Sequence, residues 1–208
     1  MRLRSLRLLV ATALAMLGLA LDHAPPAEAC GNVTHEEIDA GVKNVKIAAA
    51  ALEAEDLARA KRLASAAASV LSMADEKTHG PRADLDGVYR RALRIAALAT
   101  SRLGTASAQE KRHALDLFEH GLLAAPGDPE PTLLADYAEV ASRVDERMPQ
   151  ATMMLRSLAT KDLIGSAHAY AALARMEKRA GDVEAEKRAR DRCRTMTKKP
   201  ALCGAPAA

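Results

Sequence analysis

The sequence predicts an all-α protein, and three observations support this fold class. Apolar residues make up 49% of the chain but aromatic residues only 2%. The core must therefore consist mainly of Ala and Leu, which favour helices, rather than the β-branched and aromatic residues that favour strands. Thr34 and Ser107 are each followed three residues later by a glutamate, which is the capping-box pattern at helix starts. Apolar residues recur at helical spacing through most of the chain.

The N-terminus has the three parts of a secretory signal peptide. Three arginines in the first seven residues precede an apolar run from Leu8 to Leu21, and the small-residue site Ala27-Glu28-Ala29 follows. A membrane-spanning helix needs about 20 apolar residues, and this run is shorter. We therefore predict that residues 1–29 are a signal peptide, that 30–34 begin the mature chain, and that the protein is exported to the periplasm or the cell exterior.

The mature chain contains three cysteines, so one is left over after any pairing. Cys193 and Cys203 lie close together in sequence and are predicted to form a disulfide in an oxidising compartment. Cys30 is then either the plain mature N-terminus or a lipidated residue. Position 27 is alanine, where bacterial lipoprotein signals carry a Leu-like residue, so plain cleavage is favoured.

The segment from residue 35 onward divides into helical hairpins separated by turn-forming residues. The first hairpin is predicted from the capping box at Thr34 to Leu71, with a break near 53–56, and the charged segment 74–87 is the longest loop. The remaining predicted helical segments are Val88 to Leu103, Ala108 to Ala124, Thr132 to Thr160 with a break at 145–149, and Leu163 to Met196 with a break at Gly181-Asp182. About eight helices result, and Pro131 suits the first turn of the fifth.

The segment from Ala114 to Pro126 combines small and large residues at spacings that suit packing between helices. Ala114 and Gly121 let a neighbouring helix approach closely, Phe118 fills the gap between hairpins, and Pro126 ends the helix. This segment resembles the second helix of a tetratricopeptide repeat. The equivalent alanines are Ala60, Ala114, Ala151 and Ala185, spaced by 54, 37 and 34 residues. The family period is about 34 residues.

The resemblance covers about residues 35–197, the predicted repeat domain, and leaves 198–208 as a C-terminal tail. It implies a right-handed superhelical stack of about four hairpins, in which the first helix of each lines a concave surface that binds peptides. The repeats are degenerate, since the first has alanines where the family has large residues and lacks a helix-ending proline. The alternative is an Ala-rich helical bundle, whose buried faces show similar spacings.

Carried over by hairpin position, the resemblance implies a binding face on the first helices. Its residues are Arg91, Arg94, Glu139, Arg143, His168, Arg175 and Arg179. Most are cationic, so an acidic peptide or a C-terminal carboxylate would suit them as a ligand. The alternative for each residue is an ordinary exposed side chain. A second basic region, from Lys187 to Lys199, either complements the helix dipole or contacts an anionic partner.

The chain lacks sequence motifs of enzymes and cofactor sites. His35-Glu36-Glu37 begins like a zinc-protease motif, but Asp39 stands where that motif needs a second histidine. There is no Gly-rich phosphate loop and no G-x-S-x-G segment. We predict a protein-binding or scaffolding module with no enzymatic activity, metal, cofactor or nucleic-acid partner. The alternatives are an envelope assembly protein anchored through a lipid on Cys30 and, more remotely, an enzyme or a soft-metal carrier that uses methionines.

Overall fold

The computed structural model describes residues 33–74, 85–123 and 127–204, and it contains helices but no strand in these ranges. The eight α-helices within these ranges are α1 (His35–Glu53), α2 (Leu57–Ser72), α3 (Leu85–Arg102), α4 (Ala108–Asp116), α5 (Pro131–Ala141), α6 (Met148–Thr160), α7 (Ala167–Ala180) and α8 (Val183–Thr195). The predicted all-α class and helix number are confirmed. The predicted signal peptide and Cys30 lie outside the described residues, as does most of the predicted loop at 74–87.

Side chains cap these helices where the sequence predicted. The Thr34 hydroxyl accepts from the Glu37 amide at 3.2 Å, and the Glu37 carboxylate accepts from the Thr34 amide at 2.7 Å. Ser107 and Glu110 repeat this reciprocal arrangement at the start of α4. Pro131 is at the first turn of α5. Both capping boxes are therefore confirmed.

Two helix starts differ from the sequence prediction. Helix α3 begins at Leu85, three residues before the predicted Val88, with Asp86 in its first turn. An acidic residue there is favoured by the helix dipole. Helix α7 begins at Ala167 instead of near Leu163, because the Ser166 hydroxyl caps its first turn.

The helices pack as four consecutive hairpins. The second helix of each hairpin contacts the first helix of the next, so α2 packs on α3, α4 on α5 and α6 on α7. The first helices also contact one another in order, α1 with α3, α3 with α5 and α5 with α7. Between α2 and α4, the Lys61 ammonium donates to Glu110 at 2.6 Å. This hydrogen bond and those from Ser107 lower the pKa of Glu110 to about 2.

The contact between the second and third hairpins depends on Phe118. Its side chain is fully buried and meets the Tyr137 ring edge-on, with 6.3 Å between ring centroids. Helix α4 continues here as a π-helical segment, Leu117–Leu122, and its Gly121 lies so close to α3 that a Cβ atom would be 2.8 Å from Leu93. The small and large residues of this segment therefore pack as their spacing predicted.

The predicted disulfide between Cys193 and Cys203 is present in the structure, with 5.8 Å between the two Cα atoms. A short 3-10 helix, Pro200–Cys203, packs on α7 and α8. The Lys199 ammonium donates to the Ala54 carbonyl at 3.3 Å and lies 3.5 Å from the Glu55 carboxylate. The disulfide therefore helps to hold residues 199–203 next to the turn between α1 and α2.

Replacing both cysteines of this disulfide with serine should lower the free energy of unfolding by about 3 kcal/mol, because the crosslink closes a short loop in the unfolded chain. Urea unfolding of Cys193→Ser/Cys203→Ser measures the change. Wild-type protein unfolded in a thiol reductant is the matched control and should lose the same amount. Equal stability of oxidised and reduced wild-type protein would contradict the prediction.

Candidate functional site

The seven residues of the predicted binding face fall into different environments. Arg91 is exposed on α3, and Arg94 and Glu139 each form an ion pair with another residue of the protein. Arg143, Arg175 and Arg179 line one pocket, and His168 lies at the start of α7. Arg143 was predicted on a first helix, but it lies beyond the end of α5, in the turn to α6. The turn begins there because α5 has its C-cap at Ser142.

Two ion pairs with buried carboxylates join α3 to α5. Arg94 donates to Asp136 at 2.5 Å, and Arg102 donates to both oxygens of Glu139, at 2.7 and 2.9 Å. Only 1% of the Glu139 surface is exposed. Burial raises the pKa of Asp136, and the nearby Glu139 charge adds to this effect, while the two arginines oppose it. In both pairs the arginine lies on α3 of the second hairpin and the carboxylate lies on α5 of the third. The two pairs therefore hold the second hairpin against the third.

A similar pair joins α6 to α7. Arg156 donates from Nε to Glu177 at 2.6 Å and from Nη2 to the other carboxylate oxygen. Glu177 is 1% exposed, and this pairing raises the pKa of Arg156. Sequence analysis did not identify Arg102, Asp136, Arg156 or Glu177. A signal was available for Asp136, since it lies between Leu133-Leu134-Ala135 and Tyr137-Ala138, where an unpaired carboxylate would be costly.

One pocket gathers cationic side chains from three elements. Its volume is ≈ 340 Å³, and it lies between the N-terminal half of α4, the turn from α5 to α6 and the C-terminal half of α7. We call it the arginine pocket. Its cationic lining residues are Lys111, Arg112, Arg143, Arg175 and Arg179. Two acidic residues, Asp145 and Glu146, also line it, so positive charge is in excess by three.

Two arginines of this pocket, Arg143 and Arg175, have no ion-pair partner: the Glu139 charge acts on both, but its carboxylate is already paired with Arg102. The Arg143 and Arg175 side chains make no hydrogen bond and no ion pair with any residue that the structure describes. By contrast, Arg112 lies 3.2 Å from Glu146, and Arg179 lies 4.0 Å from Asp145. The acidic residues of the pocket are thus paired with Arg112 and Arg179, and neither forms an ion pair with Arg143 or Arg175.

Burial lowers the pKa of both Arg143 and Arg175. It is the largest influence lowering the pKa of Arg143, and it lowers the pKa of Arg175 to about 10. Although the Arg175 residue is exposed as a whole, its guanidinium faces the pocket, where Arg143 and Arg179 add repulsion and Glu139 opposes it. Both side chains stay charged at neutral pH, because guanidinium groups keep their proton in proteins. Their position favours a negatively charged ligand.

Lys111 and Arg112 also belong to this pocket, although sequence analysis did not place them on the binding face. They lie on α4, a second helix, whereas the resemblance implied ligand contacts on the first helices. The N-terminal half of α4 faces the turn after α5, which brings these two residues to the pocket.

His168 connects the start of α7 to the first hairpin. Its side chain is 21% exposed, and its Nε2 atom lies 3.8 Å from the Glu55 carboxylate. Burial lowers the pKa of His168 most, followed by the positive charge of Arg102, while Glu139 and Glu55 raise it and Arg175 lowers it. His168 is therefore neutral at pH 7 and adds no positive charge to the face at that pH.

The lowered pKa of His168 predicts a loss of stability in mild acid. The unfolded chain takes up this proton near pH 6.5, whereas the folded chain does so only at lower pH. The contribution of neutral His168 to the stability of the folded chain is therefore complete above pH 6.5, and it is lost as the pH falls below that value. Thermal unfolding at pH 7 and pH 5 should show a smaller decrease in Tm for His168→Gln than for wild type. Exposed His113→Gln is the control, and an unchanged decrease in His168→Gln would contradict the assignment.

The basic region at the end of the chain is partly neutralised within the protein. In α8, Arg190 pairs with Glu186, and Arg194 pairs with Asp191 at 3.5 Å. Arg192 reaches Asp162 at 2.5 Å. These pairs leave less charge for an anionic partner than the sequence alone suggested.

One group of side chains has the spacing of metal ligands. Asp116, Glu119 and His120 bring one potential ligand atom each to within 4.8 Å of one another, on and next to the π-helical segment. Glu119 already accepts a hydrogen bond from the Tyr137 hydroxyl at 3.0 Å and lies 3.2 Å from Arg147. Its carboxylate thereby joins the π-helical segment to α5 and to the turn before α6.

Comparison with known proteins leaves the chain without an assigned family. No protein-family model, no curated protein and no solved structure matches it. None of the helices in the described ranges has the length and apolar character that crossing a bilayer requires.

Proposed function

We propose that this chain is an exported, non-enzymatic binding module that holds an acidic segment of another protein. The observation that carries the proposal is the arginine pocket, where half-buried Arg143 and exposed Arg175 make no ion pair or hydrogen bond within the described part of the chain. Charged hydrogen bonds to carboxylates are among the strongest that side chains form. An acidic partner would supply the missing ion-pair partner.

The order of helix contacts supports a tetratricopeptide-like arrangement. Each first helix contacts the next first helix, and each second helix contacts the first helix that follows. In stacked hairpin repeats, this succession creates an extended surface along the first helices, on which partners bind. We propose that the arginine pocket forms one part of that surface, near the third and fourth hairpins.

The disulfide supports an oxidising compartment for this module, because such bonds persist mainly in exported proteins. We therefore propose cleavage after Ala29 and a mature chain that begins at Cys30. Mass spectrometry of the mature N-terminus would detect a lipid on Cys30, and this finding would favour the envelope-anchored alternative.

The binding proposal can be tested with a displayed library of random 12-residue peptides, panned on the mature protein. Peptides rich in Asp and Glu should be enriched. Changing Arg143→Gln together with Arg175→Gln should weaken binding of the best peptide more than tenfold, since loss of one charged hydrogen bond costs about 1.5 to 3 kcal/mol. Isothermal titration calorimetry measures the affinity.

The matched control changes two exposed arginines on α2, Arg59→Gln with Arg62→Gln, which removes the same charge from a second helix. This variant should bind the selected peptide with nearly wild-type affinity. Equal weakening by both double variants would show a general charge effect. Selection of apolar peptides that bind the pocket variant unchanged would place the binding surface elsewhere.

A further inference from the structure

We propose that the arginine pocket is a subsite for a compact oxyanion carrying two negative charges, of the phosphate-monoester type. The inference rests on the proposed function in one respect, since it takes Arg143 and Arg175 to be ligand-binding residues. It goes further by naming the chemical group that enters the pocket.

The first argument is the number of unpaired cations. Arg143 and Arg175 both line the pocket, and each repels the other's charge. One guanidinium fork is enough to bind both oxygens of a carboxylate. A single carboxylate would therefore leave the second arginine without an ion-pair partner, whereas a tetrahedral dianion offers enough oxygens and enough charge for both.

The second argument is the distribution of the surrounding charge. Arg179 and Arg112 have Asp145 and Glu146 as neighbours at the pocket, so the acidic residues do not neutralise the other two arginines. Lys111 lines the pocket as well and makes no ion pair within the described part of the chain. A doubly charged group would have two guanidinium forks and a nearby ammonium as counter-charges.

The third argument is size and polarity. A volume of ≈ 340 Å³ suits a small polar group, since ligand pockets span about 300 to 1,000 Å³. The Ser142 hydroxyl in the lining already donates to the Glu139 carbonyl at 2.6 Å. The arginine and lysine side chains are therefore the charged donors that the pocket offers to an anion.

The experiment titrates the mature protein with inorganic phosphate at pH 7.5, using calorimetry at constant ionic strength. Phosphate should bind and raise the Tm, whereas acetate at the same concentration should have much less effect. Arg143→Gln/Arg175→Gln should lose at least tenfold in phosphate affinity, and Arg59→Gln/Arg62→Gln should keep it. Arg143→Lys retains the charge without the fork and should bind more weakly than wild type. Circular dichroism checks that each variant is folded.

Two further titrations separate the sources of the phosphate group. Equal affinity for inorganic phosphate and a phosphoserine peptide supports recognition of the group alone, and tighter binding of the peptide supports a phosphorylated protein segment. Absence of phosphate binding at 10 mM, or equal binding by the pocket and control variants, would overturn the inference. If an acidic peptide still binds through Arg143 and Arg175 in that case, the proposed function stands and only the phosphate assignment fails.

Discussion

Replacing Arg102 with Ala should lower the free energy of unfolding by about 3 to 5 kcal/mol, because it leaves the Glu139 carboxylate buried and unpaired. The Arg102 side chain is 10% exposed and that of Glu139 is 2% exposed, so water cannot replace the two lost hydrogen bonds. The affected contact joins α3 to α5, and its loss should weaken the junction between the second and third hairpins. Urea unfolding followed by circular dichroism measures the change.

Two matched variants separate this effect from a simple loss of charge. Arg112→Ala removes an arginine from an ion pair in which both side chains are more than half exposed, and it should change stability by less than about 1 kcal/mol. Arg102→Met with Glu139→Leu removes both charges and should recover most of the lost stability. A cost of Arg102→Ala no greater than that of Arg112→Ala would show that the buried pair does not hold the hairpins together.

Replacing Phe118 with Ala should also cost about 3 to 5 kcal/mol, since a fully buried aromatic side chain leaves a large cavity when it is removed. Phe118 is 0% exposed and lies between the second and third hairpins against Tyr137. The cavity should lower the unfolding midpoint in urea. Amide hydrogen exchange should increase first in α4 and α5, which meet at this side chain.

The size dependence of this effect provides its control. Phe118→Leu keeps most of the buried apolar volume and should cost less than Phe118→Ala. Met73→Ala removes a large side chain that is 55% exposed and should have little effect. A similar cost for Phe118→Ala and Met73→Ala would contradict the packing role that we assign to Phe118.

Local sequence patterns were enough to predict much of the fold. A capping box consists of side chains within one helical turn, so the local sequence around Thr34 and Ser107 is enough to predict that helices begin there. The break at Gly181 was predictable for a similar reason, since this residue ends α7 with a positive φ of 77° that glycine adopts readily. The disulfide followed from cysteine number and spacing. These features depend on few residues that are close in sequence.

The partners of polar side chains could not be predicted in the same way. Helical periodicity identifies the face on which Arg94 lies, but its contact with Asp136 crosses 42 residues of sequence and depends on how the hairpins pack. Glu139 was predicted to face a ligand, and its carboxylate instead meets Arg102. Lys111 reaches the arginine pocket for a similar reason, because the position of α4 against the following turn is a tertiary feature.

The contrast between paired and unpaired arginines divides the candidate face into structural and binding residues. Arg94 and Arg102 contact buried carboxylates and hold hairpins together, so their loss should affect stability. Arg143 and Arg175 have no such partners in the described part of the chain, so their loss should affect binding while helicity is preserved. This separation makes stability and binding measurements independent tests.

Hydrogen–deuterium exchange on the mature protein, with and without an acidic peptide from the library, tests the binding face most directly. We predict slower exchange in residues 142–147 and in the C-terminal half of α7, which line the arginine pocket, and no change in α2. Slower exchange confined to α2 or α8, with the pocket residues unchanged, would contradict the proposed binding face.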